Sequence, residues 1–344
     1  MNVQNVVING RNNYLDILAS AWQDHLAPRQ PDAPTLISTF AGAGGSSLGY
    51  SMAGYRELLA VEWNNNAVET FRLNFPDIPV YHGDIAKLSV EECLRLAGIK
   101  PRELDVLDGS PPCQGFSTAG KRIFDDPRNQ LFREYIRLLR GLQPKVFVME
   151  NVSGMVKGKM KLVFVEIMRE LKASGYKVSA RLLNTMYFNV PQSRERMIFI
   201  GIREDLEIEP SHPRAEVKPI QLGQTGFTAD WIGIKEARLN SRISIDYHVG
   251  RKRRFSQKDT PYALTKDGAF GCRRSDVVCK DNAERTPKIQ ELSRIAAYPD
   301  AYRFFGDYEH QWECIGNSVP PLFMRSIALH IRKNILLSNL VSSQ

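Results

Sequence analysis

From Thr35 to Gly201, short β-rich runs alternate with stretches of helical period, and few architectures accept that rhythm. The β-rich runs are Thr35–Phe40, Leu58–Trp63, Val80–Gly83, Leu104–Leu107 and Val146–Glu150, then a pair near 177–183 and 197–202. Between them lie a helical stretch reaching Tyr55, another reaching about Asn74, then Asn129–Leu142 and Lys161–Ser174. In Asn129–Leu142 the residues Leu131, Tyr135, Leu138 and Leu142 recur at the spacing of one helix face. Repeated β-α-β units predict the α/β class, with a Rossmann-like parallel sheet covered by helices on both sides.

The texture changes after residue 203. Residues 204–289 carry scattered charge and few periodic stretches, and helical signals return in Ile289–Ala297 and Pro321–Leu337. The chain therefore divides into a large domain, 35–203 with 290–344, and a smaller, irregular, mostly β domain inserted at 204–289. Residues 1–34 form an N-terminal extension. There Tyr14, Leu15, Leu18, Trp22 and Leu26 suit one amphipathic helix, and Ala27–Pro34 reads as a proline-rich linker. No function is assigned to it.

Composition removes some classes. No apolar run approaches the roughly 20 residues of a membrane span, and the N-terminus lacks a signal-peptide pattern, so a cytoplasmic protein is expected. The five cysteines, at 93, 113, 272, 279 and 314, are scattered without a CxxC pair. Neither a disulfide framework nor a metal site is expected. The net charge of +8 permits a polyanionic partner without demanding one.

Chemistry collects where the strands end, as it does in open α/β sheets. Phe40-Ala41-Gly42-Ala43-Gly44-Gly45 joins the first strand to the first helix, and such a loop brings backbone close to a ligand. Alone it suits NAD, a flavin or S-adenosylmethionine. Glu62 ends the second strand, positioned for ribose hydroxyls, with Trp63 beside it as a flat face for adenine. Asp84, before Ile85, ends the third and suits an adenine amino group. A glycine loop followed by two acids favours S-adenosylmethionine over a dinucleotide.

Further along, Gly109-Ser110-Pro111-Pro112-Cys113-Gln114-Gly115-Phe116-Ser117 follows an apolar strand and presents one cysteine behind two prolines. By itself this is equally a proline-rich turn around a buried thiol. Glu150-Asn151 leaves another apolar strand, either capping a turn or held in a pocket that keeps its proton available. Gln192, Arg194 and Arg196 alternate just before a strand, as a solvated edge or as forked donors for an oxygen ligand. Gly316-Asn317-Ser318-Val319 makes a polar turn before the final helix.

In this order the series closely resembles the motifs of the DNA (cytosine-5)-methyltransferases, over about residues 35–204 and 286–325. The resemblance implies methyl transfer from S-adenosylmethionine to cytosine C5 in a specific duplex sequence. Cys113 would be the thiolate that adds at C6, and Glu150 the acid at N3. Arg196 would assist at the base carbonyl and Arg194 would steady the site. Pro112, Asn151 and Gln192 would orient the base. The cofactor pocket would comprise Phe40, Ala41, Gly42, Gly44, Gly45, Glu62, Trp63, Asp84, Ile85, Leu131, Asn317, Ser318 and Val319.

The target base must flip out of the duplex to be reached. Gln114–Asn129, with Lys121 and Arg122, resembles the loop that closes over it. In the inserted domain Arg253, Arg254, Arg273 and Arg274 sit in basic clusters suited to phosphate or guanine, and Thr265-Lys266 falls at the family's recognition-loop position. The resemblance implies double-stranded DNA as partner, a monomer, and a prokaryotic or phage enzyme acting alone or paired functionally with a restriction endonuclease. Two readings compete: a tRNA cytosine-5 methyltransferase, and a cofactor- or DNA-binding module without activity.

Overall fold

A computed structural model describes residues 14–112, 130–156, 160–215 and 288–337, with residue 220 and the short runs 245–246, 252–253, 278–280 and 283–285. The sheet is built from β1 (Thr35–Thr39), β2 (Arg56–Glu62), β3 (Val80–His82), β4 (Val106–Gly109), β5 (Val146–Val152), β6 (Tyr176–Asn184) and β7 (Glu195–Arg203). Their spatial order is β3-β2-β1-β4-β5-β7-β6. The five strands from β3 to β5 pair in parallel. The chain order reverses beside β1, the switch point at which open sheets hold ligands.

One strand departs from the expected parallel sheet. β7 runs antiparallel to both β5 and β6. Only Thr185–Arg194 separates β6 from β7, and that is too short for a crossover helix, so the chain must turn back.

Successive residues along the strands face opposite layers, as strand geometry requires. Leu36, Val106, Val146 and Val148 enter one core, while Ile37, Leu107, Phe147 and Met149 enter the other. The second core is covered by α4 (Val90–Ala97), α5 (Gln130–Leu142) and α6 (Met160–Ala173). The first is covered by α1 (Tyr14–Leu26), α2 (Gly45–Met52) and, from the end of the chain, α7 (Ile289–Ile295), α8 (Tyr308–Asn317) and α9 (Pro321–Ile331). α3 (Asn65–Asn74) follows β2, its start capped by the Asn64 side chain, which accepts from the Ala67 N–H. The final helix ends ten residues past Pro321 and continues as a π-helical turn, Arg332–Leu336. Four two- or three-residue strands, β8 (Ile245–Asp246), β9 (Lys252–Arg253), β10 (Val278–Lys280) and β11 (Ala283–Arg285), form two antiparallel ribbons.

α1 is no loose extension. Tyr14, Leu18 and Ala21 are buried in the core shared by α2 and α9. The Tyr14 hydroxyl donates to the Arg294 carbonyl at 2.6 Å, and Asp24 pairs with Arg325 at 2.6 Å. The chain stays on this body past β7, with Leu206 and Ile208 packed against the same core.

Candidate active site

β1 ends at Thr39, and the chain turns at once through two left-handed residues, Phe40 with φ of 55° and Gly42 with φ of 55°. The turn is held from β2. Glu62 is buried, and one of its carboxylate oxygens accepts from the Gly42 N–H at 2.7 Å. The other accepts from the N–H groups of Trp63 and Asn64, each at 2.9 Å. The carboxylate at the end of one strand thus fixes the glycine loop at the end of the next.

The glycines of that loop do different work. A Cβ placed on Gly42 would meet nothing within 4 Å, so this position borders open space. A Cβ on Gly45 would strike the Val319 carbonyl and the Tyr298 hydroxyl. Gly45 is therefore small because the turn before α9 lies on it, which brings Val319 and Ser318 to the loop. Gly44 caps the start of α2. Ala41 is buried under the β2 backbone, its N–H donating to the Val61 carbonyl at 3.1 Å, and the Tyr302 hydroxyl donates to the Ala43 carbonyl.

Around the same opening Trp63 is 75 % exposed, an indole face with solvent over it. Asp84 is exposed and accepts from the Ala86 N–H at 2.9 Å, while Ile85 beside it is buried. Leu131, in the first turn of α5, is half-buried against the second core. Asn317 is exposed and ends α8; the sequence led us to expect a turn there, not the close of a helix.

The acid and the arginines meet on the other side of β4. Because β7 is reversed, its first residues lie where β5 ends, and Arg196 pairs in register with Val152. The Arg196 Nε stands 2.6 Å from a Glu150 carboxylate oxygen, and both side chains are largely buried. Asn151 is buried, and its amide donates to the Pro111 carbonyl at 3.1 Å, fixing the first proline of the Pro-Pro-Cys loop. Pro112 is exposed. Gln192 donates to the Ile295 carbonyl at 3.1 Å. Arg194 is buried and donates to the Gly316 carbonyl at 3.0 Å, tying the start of β7 to the end of α8. Burial first, and then the nearby Arg196 charge, push its guanidinium down to about 9.

Cys113, Lys121, Arg122, Arg254, Thr265, Lys266, Arg273 and Arg274 lie outside the described residues, and of Arg253 only its place in β9 is described. The remaining residues expected from sequence lie at or just past the carboxyl ends of β1 to β5, around the start of β7, in the first turn of α5 and where α8 gives way to α9. Sequence reading passed over Asp108, a carboxylate buried in β4 whose oxygens accept from Ser46 at 2.5 Å and Tyr50 at 3.3 Å. The signal lies in the sequence, since Asp108, like Glu150, is an acid within an apolar strand.

The edge pairs a glycine loop open to a ligand with a carboxylate held by arginine, beside the strand that leads to Cys113. Comparison with known proteins shows the family. The model of the C-5 cytosine-specific DNA methylases matches residues 35–244 and 217–333. Type II methyltransferase M1.HphI of Haemophilus parahaemolyticus is 36 % identical over 324 residues, covering 87 % of this chain and 87 % of that protein. Type II methyltransferase M.DdeI of Desulfomicrobium norvegicum is 42 % identical over 369 residues, covering 86 % and 88 %. Among solved structures, a Spodoptera frugiperda DNMT2 mutant superposes with a TM-score of 0.63 at 19 % identity, covering 90 % of this chain and all of that one, a likeness of fold. Among the described residues no helix is long and apolar enough to cross a membrane, and no cluster of candidate metal ligands occurs. The chain belongs to the C-5 cytosine-specific DNA methylase family and is a DNA (cytosine-5)-methyltransferase.

Proposed function

We propose that this enzyme methylates C5 of a cytosine flipped out of a specific duplex sequence, through a covalent bond between Cys113 and C6. The observation that carries the reading is the Glu150–Arg196 pair at 2.6 Å, on the edge it shares with the opening at Gly42. The residues around that opening fit S-adenosylmethionine. Gly42 leaves room for it, Trp63 offers a face to adenine, and Glu62 and Asp84 offer carboxylates to the ribose and the adenine amine. When bound, the cofactor supplies the methyl group.

The remaining work falls to side chains. The Cys113 thiolate adds to C6, and electron density moves through the ring toward N3. Glu150 donates a hydrogen bond or proton there, so the charge that develops is met inside a site largely closed to water. Arg196 holds the Glu150 carboxyl in place and reaches toward the base carbonyl. Asn151 fixes the Pro111 carbonyl and with it the start of the nucleophile's loop. Once C5 carries the methyl group, loss of its proton to a base or water lets the C6–S bond break and return the thiolate.

Double-stranded DNA is the partner in this reading, read by a domain within residues 204–289 through Arg253, Arg254, Thr265, Lys266, Arg273 and Arg274. Lys121 and Arg122 lie in the loop that closes on the flipped base. We further propose that the enzyme acts as a monomer in a prokaryotic cytoplasm, alone or in functional partnership with a restriction endonuclease. The test is transfer of labelled methyl from S-adenosylmethionine to mixed-sequence duplex DNA and to tRNA, with Cys113→Ala alongside. Label at cytosine in DNA, absent in the variant, is the expected result. Label in tRNA alone overturns the substrate, and label in neither despite cofactor binding overturns the reaction.

A further inference from the structure

Asp108 lies in β4, five residues before Cys113, and is 2 % exposed. Each of its three oxygens accepts from a side chain of a neighbouring element. One carboxyl oxygen accepts from the Ser46 hydroxyl at 2.5 Å and the other from the Tyr50 hydroxyl at 3.3 Å. Its backbone carbonyl accepts from the Thr39 hydroxyl at 3.0 Å, at the end of β1. Ser46 and Tyr50 are one helical turn apart on α2, the helix that begins directly after the glycine loop. Thus one carboxyl spans from the first turns of the cofactor-loop helix to the strand that launches the nucleophile's loop.

The surroundings leave it no alternative anchor. In the sheet Asp108 pairs with Ser38 of β1 on one side and Val148 of β5 on the other, two residues before Glu150. Next to it, a Cβ on Gly109 would strike the Thr39 hydroxyl and the Tyr135 ring, so the strand end cannot shift toward α5. Glu57 of β2 lies under the same helix and accepts from Ser47 at 3.0 Å. Among the described residues no lysine or arginine bonds to Asp108. A buried carboxyl held only by two hydroxyls is costly unless both hold. Such a contact specifies position more sharply than an apolar one, because a shift of either element leaves polar groups unmet.

We propose that Asp108 is a positioning residue for methyl transfer: with Ser46 and Tyr50 it clamps α2 to β4 and so sets the separation between the glycine loop and the end of β4, the strand that precedes Cys113 in the chain. This rests on the reaction proposed above. Misplacing reacting groups acts on the chemical step more than on binding. The clamp therefore governs kcat and leaves cofactor affinity nearly unchanged, whereas a residue that merely adds stability would move neither in the folded enzyme.

The experiment uses the whole chain, with Asp108→Ala, Asp108→Asn, Ser46→Ala and the Asp108→Ala/Ser46→Ala double variant. Each is normalised to the fraction that binds S-adenosylhomocysteine by calorimetry, then assayed for labelled methyl transfer to duplex DNA. The expected result for Asp108→Ala is a fall in kcat of about tenfold or more, with the cofactor KM within about threefold of the parent. Asp108→Asn, which keeps an acceptor for Ser46, recovers most of the loss. The double variant is no slower than Asp108→Ala alone, because the two residues act through one contact. The proposal is overturned if normalised kcat stays within about twofold of the parent, if the loss appears in KM, or if the two single effects multiply. Should Asp108→Ala not fold, Ser46→Ala carries the same test. A parent enzyme that transfers no methyl would instead sink the reaction itself, which separates the two failures.

Discussion

The Nε of Arg196 and a carboxylate oxygen of Glu150 lie 2.6 Å apart, on adjacent strands that run in opposite directions. The pair joins the residue proposed to act on N3 to the one proposed to act at the base carbonyl. It is largely buried, so cutting one side leaves the other charge buried without its partner.

Arg196→Ala is therefore expected to lower the methyl-transfer rate by about a hundredfold or more, as loss of a preorganised donor does at other sites. Glu150→Gln keeps the shape but removes the ionisable carboxyl that pairs with Arg196, and should fall at least as far. Single-turnover transfer to duplex DNA measures both, and a rate within about threefold of the parent for either would sink the assigned roles.

Gly42 and Gly45 should separate cleanly when each is changed to alanine. Gly45→Ala drives a methyl into the Val319 carbonyl and the Tyr298 hydroxyl, so thermal stability should drop by several degrees, on the order of 1–3 kcal/mol. Gly42→Ala meets no atom and suffers only its left-handed backbone, about 1 kcal/mol. Its larger effect should be weaker cofactor binding, since the new methyl enters the opening. Melting curves and calorimetric titration with S-adenosylhomocysteine decide it; equal losses of stability in both variants would contradict the distinction.

Trp63→Ala tests the adenine face. An indole 75 % exposed adds little to the fold, so the melting temperature should hold. Cofactor affinity should weaken by about three- to tenfold, the usual worth of an aromatic contact of this kind. Unchanged affinity would remove Trp63 from the cofactor site.

Stability should respond to pH through two carboxyls under α2. Burial raises Glu57 to about 8, and burial raises Asp108 to about 7. The folded protein holds these protons where the unfolded chain has released them. Their contribution to stability is thus intact below the ordinary carboxylate range near pH 4, and lost as pH rises through about 7 and 8. His25, pushed down to about 4 chiefly by burial, acts oppositely, its contribution lost as pH falls from about 6.5 through 4. Comparing Glu57→Gln with the parent at each pH isolates the carboxyl. The difference in melting temperature should shift in the variant's favour from about pH 5 to about pH 9. A difference constant across that range would refute the buried proton.

The sheet was legible because its strands are apolar runs of limited length, and the site because each run ends in a polar or glycine-rich signature. The direction of β7 was not, since an apolar strand carries no mark of orientation; the ten residues from Thr185 to Arg194 held the clue in their brevity. α4 went unread although Ser89 caps its start and Gly98 its end, because eight residues give helical period little room. α8 was missed for a similar reason, its apolar residues being few, so Asn317 was read as loop. The burial of Arg194 followed from tertiary packing: its partner is a backbone carbonyl 122 positions away, which no local pattern announces. Apart from the place of Lys252 and Arg253 in β9, the basic clusters of the inserted segment lie outside the described residues.

The first helix meets the last parts of the chain. Tyr14 bonds the carbonyl of Arg294, 280 positions on, and Asp24 pairs with Arg325, 301 positions on. A ribosome makes α1 before the sheet, yet these two partners appear only after the whole sheet and the inserted segment have been made. The nascent enzyme therefore cannot finish its core until synthesis reaches α9. Closure of this core thus waits on segments that follow the inserted stretch in the chain.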